Sequence, residues 1–253
     1  MLNLSAYLDR IGYYGPAKPT AEVLRHIHRS HLFTAPFENL DIALGHKIIC
    51  DENAFIQKIV ERRRGGFCYE LNGAFAALLR ALGFQVTLLS ACVARDDGTY
   101  SPEFDHLALG VDLDEPWLAD VGFGDLFLEP LRLQPGLVQE QDRQKFRIVK
   151  EGNVLILERS GLEEKWKREY SFTLTPHSLE DFAAMCHYHQ TSPESSFTRK
   201  SVCTIATVSG RVTLADQKLI FTRDGIKEEK PLLSEAERHA ALKEYFGIVL
   251  ARS

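Results

Sequence analysis

Cys68 follows a glycine pair and opens a long helical pattern in the run Arg64-Gly65-Gly66-Phe67-Cys68-Tyr69-Glu70-Leu71-Asn72. Leu71, Ala74, Phe75, Leu78, Leu79 and Leu82 recur at steps of three and four, and Gly83 stands where a helix would stop. The thiol is thus expected in the first helical turn, where unpaired backbone N–H groups and the positive end of the helix dipole favour an anion. A thiol so placed tends to a lowered pKa, and the thiolate is the nucleophile. A lone cysteine is more often a small buried apolar residue, so the chemistry turns on whether the chain supplies a base. A thiol nucleophile wants an imidazole within hydrogen-bond reach and a third group to orient that ring. Among nine histidines, His106 opens an apolar strand, 106–111, after a loop at 101–105. His26, His28 and His31 sit among charged neighbours, and His187 and His189 flank a polar loop, which suits structural or solvent-exposed roles. Asp120 ends a largely apolar run, where an ionised carboxylate is costly unless paired. One reading is a Cys68–His106–Asp120 triad; the other gives the three residues separate structural roles.

The elements that must position these groups follow from local signals. Helices are predicted at 4–11, from Thr20 as N-cap to about 31, and from Asp51 as N-cap through 60. The last ends in Arg62-Arg63-Arg64, cations that suit a helix C-terminus and are no sign of nucleic acid. Between them 36–40 reads as irregular. There Glu38, flanked by Phe37 and Leu40, is either a buried carboxylate partnered by Arg64 or a solvated loop residue. After Gly83 the period becomes strand-like. Strands are predicted at 85–94, 106–111, 116–121, 126–133, 145–149, 154–158 and 166–174, with a hairpin turn at 151–153. A capping-box-like start at Ser178 and Asp181 begins a helix to 188, strands follow at 202–208, 211–214 and 218–222, and a helix runs from Ser234 to a stop at Gly247. Helices first, strands in the middle and a mixed end give an α+β chain in three regions, 1–84, 85–176 and 177–253.

The chain has 253 residues, 45% of them hydrophobic and 26% charged, which is ordinary for a soluble globular protein. A net charge of -5 argues against a nucleic-acid footprint. Cys50, Cys68, Cys92, Cys186 and Cys203 form no CxxC pair, so neither a zinc or other metal site nor a disulfide framework is expected. A reducing, cytoplasmic location fits. The first residues do not read as a secretory signal, and no stretch reaches the roughly 18 apolar residues of a membrane span. No glycine-rich phosphate motif is present.

Several ordered motifs carry a resemblance: Pro36-Phe37-Glu38-Asn39-Leu40, the Arg64–Asn72 run, Phe104-Asp105-His106-Leu107 and Asp120-Val121-Gly122-Phe123-Gly124. With Ser195, Phe197, Thr198 and Cys203 further on, the chain resembles the arylamine N-acetyltransferase family of bacterial size. The resemblance implies an N-terminal helical bundle, a central antiparallel β-barrel and a C-terminal α/β lid, with a cysteine-protease-like catalytic core. It implies Cys68, His106 and Asp120 as a catalytic triad and Glu38–Arg64 as a structural ion pair bracing the Cys68 loop. The implied reaction is a ping-pong transfer: acetyl-CoA, a substrate and no resident cofactor, acetylates Cys68, and an arylamine, hydrazine or N-hydroxyarylamine then takes the acetyl group. Phe123, with Phe37 and Phe197, is the candidate aromatic wall for the acceptor, Phe123 first because glycines flank it. An amide synthase on the same fold, a papain- or transglutaminase-like thiol hydrolase and a silent binding protein stand as alternatives. The partners expected are small molecules, with neither nucleic acid nor membrane; the sequence specifies no oligomeric state.

Overall fold

The computed structural model describes residues 2–161 and 165–250. The outer bounds of the first and last expected regions, 1 and 251–253, lie outside them. The helices begin where the caps require. α1 (Leu4–Ile11) starts under the Asn3 side chain, α2 (Ala21–Thr34) under Thr20, and α4 (Glu52–Ile56) under Asp51. Each cap oxygen accepts an otherwise unpaired N–H of the first turn. α4 passes into a π-helical turn, Gln57–Glu61, and the carbonyls left over are gathered by a buried cation. Arg10 donates to Ile59 O at 2.8 Å and to Arg64 O at 3.1 Å, holding the turn that leads to Cys68.

α5 (Cys68–Ala81) is the central helix, and its residues from Cys68 to Leu79 are buried on every side. It packs against α1, α2 and α4 on one side and against the barrel on the other. Gly73 lets Phe55 lie on it: a Cβ there would stand 2.7 Å from the ring.

The barrel is an antiparallel sheet in the order β5-β4-β3-β2-β9-β8-β7-β6. Its strands are β2 (Gln85–Val93), β3 (His106–Asp112), β4 (Pro116–Ala119), β5 (Leu131–Arg132), β6 (Gln139–Gln141), β7 (Gln144–Glu151), β8 (Val154–Ser160) and β9 (Trp166–Phe172). The strand expected over 126–133 contracts to Leu131–Arg132. β5 and β6 are the sheet's edges, and glutamine amides zip them nearly closed. Gln139 bonds the backbone N and O of Arg132, and Gln141 those of Glu129, at 2.7–3.2 Å. Such amides stand in for the missing ladder of an edge strand. Successive side chains of a strand face opposite ways. Leu107, Leu109 and Val111 therefore face α5, and Ala108 faces the barrel interior with Phe146, Leu157 and Tyr170.

The C-terminal region carries a 3-10 turn (Leu179–Phe182), α6 (Ala183–Thr191), α7 (Ser196–Arg199) and a second sheet packed on α8 (Glu235–Phe246). That sheet runs β1-β10-β11-β12-β13, with β10 (Val202–Thr207), β11 (Gly210–Ala215), β12 (Lys218–Arg223) and β13 (Ile226–Pro231). The exposed edge β13, Ile-Lys-Glu-Glu-Lys-Pro, lacks apolar alternation, so only the structure reveals it. The stretch read as irregular at 36–40 is also corrected. β1 (Phe37–Glu38) is a short edge strand that pairs with β10, and α3 (Leu40–Ala43) follows it. The N-terminal part of the chain thus supplies one strand of the C-terminal sheet.

Candidate active site

Gly65 and Gly66 bring the chain onto β1 before α5 begins. Glu38 N donates to Gly66 O at 2.9 Å, and a Cβ on Gly65 would lie 1.8 Å from Pro36 O, so only glycine passes. Cys68 is then the first residue of α5, and Glu70 closes the turn by accepting from Phe67 N at 3.1 Å.

Beneath this turn lies a buried charge cluster. Arg64 meets Glu38 at 2.8 Å and Asp41 at 3.1 Å; Lys58 meets Asp41 at 2.8 Å and Glu70 at 2.9 Å. Glu38 is therefore a buried carboxylate paired with Arg64; the sequence gives no sign of Lys58, Asp41 and Glu70, because their partners lie far along the chain. Two cations face three carboxylates here. Burial, then repulsion from Glu38 and Asp41, push the Glu70 carboxyl up to about 7, against the pull of Lys58.

His106 and Asp120 meet across the end of the barrel. β3 pairs with β4 so that Leu109 opposes Ala119, where the strand stops two residues short of the expected end, and the chain leaves the sheet at Asp120. His106 Nε2 lies 2.7 Å from Asp120 Oδ2, both groups buried. Burial lowers the His106 pKa, but the Asp120 charge and hydrogen bond override it and raise the group to about 10. The ring also stands beside Cys68, whose pKa it lowers and whose Sγ lies 4.0 Å from Asp105 O. Burial raises the Cys68 thiol above its ordinary value and outweighs the His106 bond and charge and the Leu107 N–H that pull it down, so the lowered pKa expected of a thiol at a helix start is not found for the site at rest. The structure thus brings all three residues together.

Asp120 is held by groups that the sequence pattern did not single out. Its Oδ1 accepts from Asn72 Nδ2 at 2.8 Å and from Gly122 N at 2.9 Å. Its backbone N donates to His28 Nε2 at 3.1 Å, while His28 Nδ1 donates to Leu128 O at 2.9 Å. Burial drives His28 down to about 4, which keeps it neutral and able to accept. His28 and His31 are thus buried, not solvent-exposed; His189 is buried too, 3.1 Å from Asp105.

Phe123 stands edge-on to the His106 ring, 5.2 Å between centroids, with Tyr170 beside both. The glycines that flank it serve the protein's own packing. A Cβ on Gly122 would sit 2.9 Å from the Cys68 Cα, and one on Gly124 (φ +97°) 3.3 Å from the Phe37 ring. Phe37 and Phe123 line one cleft of about 590 Å³ between the barrel and the second sheet, with Phe127, Arg143, Thr204 and Arg211. Phe197 is set back, packed on Phe37, Phe67 and His189.

A barrel that presents a buried His–Asp pair to a thiol on a central helix is an arrangement shared by thiol-dependent acyltransferases and thiol hydrolases. The N-acetyltransferase family profile matches residues 20–253. Human arylamine N-acetyltransferase 1 is 34% identical over 99% of this chain and 96% of its own. The Escherichia coli arylamine N-acetyltransferase is 33% identical over 97% and 88%. The structure of the Salmonella typhimurium arylamine N-acetyltransferase superposes with a TM-score of 0.93 at 32% identity, covering 100% of this chain and 93% of that one. The Mycobacterium marinum enzyme, solved in complex with CoA, gives 0.90 at 32% identity, covering 97% and 93%. The chain belongs to the arylamine N-acetyltransferase family and is an acyltransferase. Among the described residues no helix is long and apolar enough to cross a membrane.

Proposed function

We propose that Cys68, His106 and Asp120 act as a catalytic triad that moves an acetyl group from acetyl-CoA to an arylamine or hydrazine by a ping-pong route. The observation that carries this reading is His106, bonded through Nε2 to Asp120 at 2.7 Å and set beside the Cys68 thiol. With the His106 pKa raised to about 10, the ring holds a proton at neutral pH and presents a cation to the thiol. A thiolate beside an imidazolium is a strong nucleophile at neutral pH.

The Cys68 sulfur attacks the thioester carbonyl of acetyl-CoA, and backbone N–H groups at the start of α5 stabilise the oxyanion. The carbonyl reforms, the C–S bond to CoA breaks, and His106 gives its proton to the leaving thiolate. An amine then attacks the Cys68 thioester, His106 takes its proton, and Cys68 leaves as thiolate. Asp120 orients the ring and balances its charge. The CoA-bound relative and the cleft flanked by Arg143 and Arg211 support a CoA thioester as donor. The ring of Phe123 against His106 supports an aromatic acceptor, with Phe37 and Phe197 as its further wall. Glu38 and Arg64, with Lys58, hold the turn that presents Cys68.

Intact mass after incubation with acetyl-CoA alone tests the route. One acetyl adduct is expected, discharged by aniline and absent from Cys68→Ala. Steady turnover in Cys68→Ala would remove Cys68 from the nucleophile role.

A further inference from the structure

Cys50 and Cys186 take no part in the reaction above and come from opposite parts of the chain. Cys50 immediately precedes the N-cap of α4, and Cys186 lies on α6. Both are free thiols; Cys186 is 1% exposed and Cys50 only half-buried. Two anchors hold them in one place. Gln190, a turn beyond Cys186, donates to Ile48 O at 3.0 Å and accepts from Ile48 N at 2.7 Å, strapping the segment before α4 onto α6. Cys50 Sγ in turn reaches Leu179 O at 3.6 Å, at the start of the turn that feeds α6. Between these anchors the two thiols are held as neighbours, and Gln190 Nε2 lies 3.4 Å from the Cys186 sulfur.

We propose that Cys50 and Cys186 form a redox-active pair that a peroxide converts to a disulfide, stapling the 45–51 segment to α6. Cys50 reacts first, because solvent reaches it and its neighbour cannot be reached. The nearness of Cys186 also favours the Cys50 thiolate, whose pKa lies below that of an ordinary thiol, while that of Cys186 lies above it. The Cys50 thiolate attacks one peroxide oxygen and the O–O bond breaks. The products are a Cys50 sulfenic acid and hydroxide, which takes up the thiol proton as water. The Cys186 sulfur then attacks the sulfenic sulfur; the S–S bond forms, the S–O bond breaks, and a second water leaves with the Cys186 proton. Two thiols lose two electrons in all, and one peroxide becomes two waters.

The staple would close on the neighbour of Cys68. Tyr69 packs against Phe182 at 6.0 Å and His189 at 6.2 Å, on either side of Cys186.

Peptide mapping of the full chain, in a Cys68→Ala background that keeps peroxide chemistry off that thiol, tests this pair. After a brief, few-equivalent hydrogen peroxide treatment and alkylation, the dominant oxidised species should be a peptide pair linked Cys50 to Cys186. Dithiothreitol should restore both thiols. Cys50→Ser should lose the link, and Cys186→Ala should leave a Cys50 sulfenic acid that dimedone traps. Cys50 sulfinic acid with Cys186 still alkylated, linkage to another cysteine, or no reaction at either thiol would overturn the proposal.

Discussion

Asn72 donates through Nδ2 to Asp120 Oδ1 at 2.8 Å, across 48 positions of sequence. The same nitrogen donates to Leu107 O at 2.6 Å, and the amide oxygen accepts from Val121 N at 2.9 Å. Asn72 stands one turn beyond Cys68 on α5, so one side chain ties the thiol's helix to the carboxylate and to the strand of His106. It has no water contact, so every bond it loses is left unmade.

Replacing Asn72 by Ala should therefore cost about 2–4 kcal/mol of stability, from unpaired groups at Leu107, Asp120 and Val121. Urea unfolding measures this; an unchanged midpoint would show that the amide is dispensable.

Asp120→Asn should slow alkylation of Cys68 by iodoacetamide at mildly acidic pH by about tenfold or more. Burial lowers the His106 pKa and Asp120, with Cys68, raises it to about 10, so removing the carboxylate leaves only Cys68 against burial and the ring's pKa falls. The Cys68 thiolate then loses its cation. A wild-type alkylation rate would mean that Asp120 does not poise the pair.

Phe123→Ala should weaken arylamine use more than acetylation of the protein by acetyl-CoA. The ring stands against His106, where an acceptor would lie. Single-turnover rates of the two half-reactions separate the effects, and equal losses would count against an acceptor role.

Glu70 should make stability fall as pH rises. Its carboxyl lies at about 7 in the fold, above the ordinary 4.5, so the native state binds the extra proton. The stability it contributes is complete below pH 4.5 and is lost as pH rises through 7, at up to about 1.4 kcal/mol per pH unit. Glu70→Gln keeps an acceptor for Phe67 N and removes the titration. Subtracting the two unfolding profiles should show this slope, and a flat difference would contradict the shifted carboxyl.

Much of this protein is written in local signals. Thr20, Asp51 and Ser234 reach N–H groups only a turn away, and Gly247 adopts the left-handed backbone that ends α8, so helix starts and stops are readable from neighbouring residues. The strand pattern after Gly83 is equally local, since alternation needs no partner to be recognised. The ordered motifs around Cys68, His106 and Asp120 point to the family directly, which no single residue's pattern could do.

What required the folded chain are the relationships between distant groups. Phe37–Glu38 becomes a strand only because β10 offers it an edge. His28, set among charged neighbours in sequence, becomes a buried acceptor only because Asp120 N arrives beside it. Gly122 is indispensable only because the Cys68 backbone lies behind it. Lys58 and Glu70 count as partners only once the fold brings them to 2.9 Å and burial removes the water between charges. Periodicity reports which way a side chain faces, while bonding and desolvation depend on what it meets there. The residues for a thiol, an imidazole and a carboxylate could thus be picked out from sequence; that Asn72 and His28 hold the carboxylate in place was decided by packing alone.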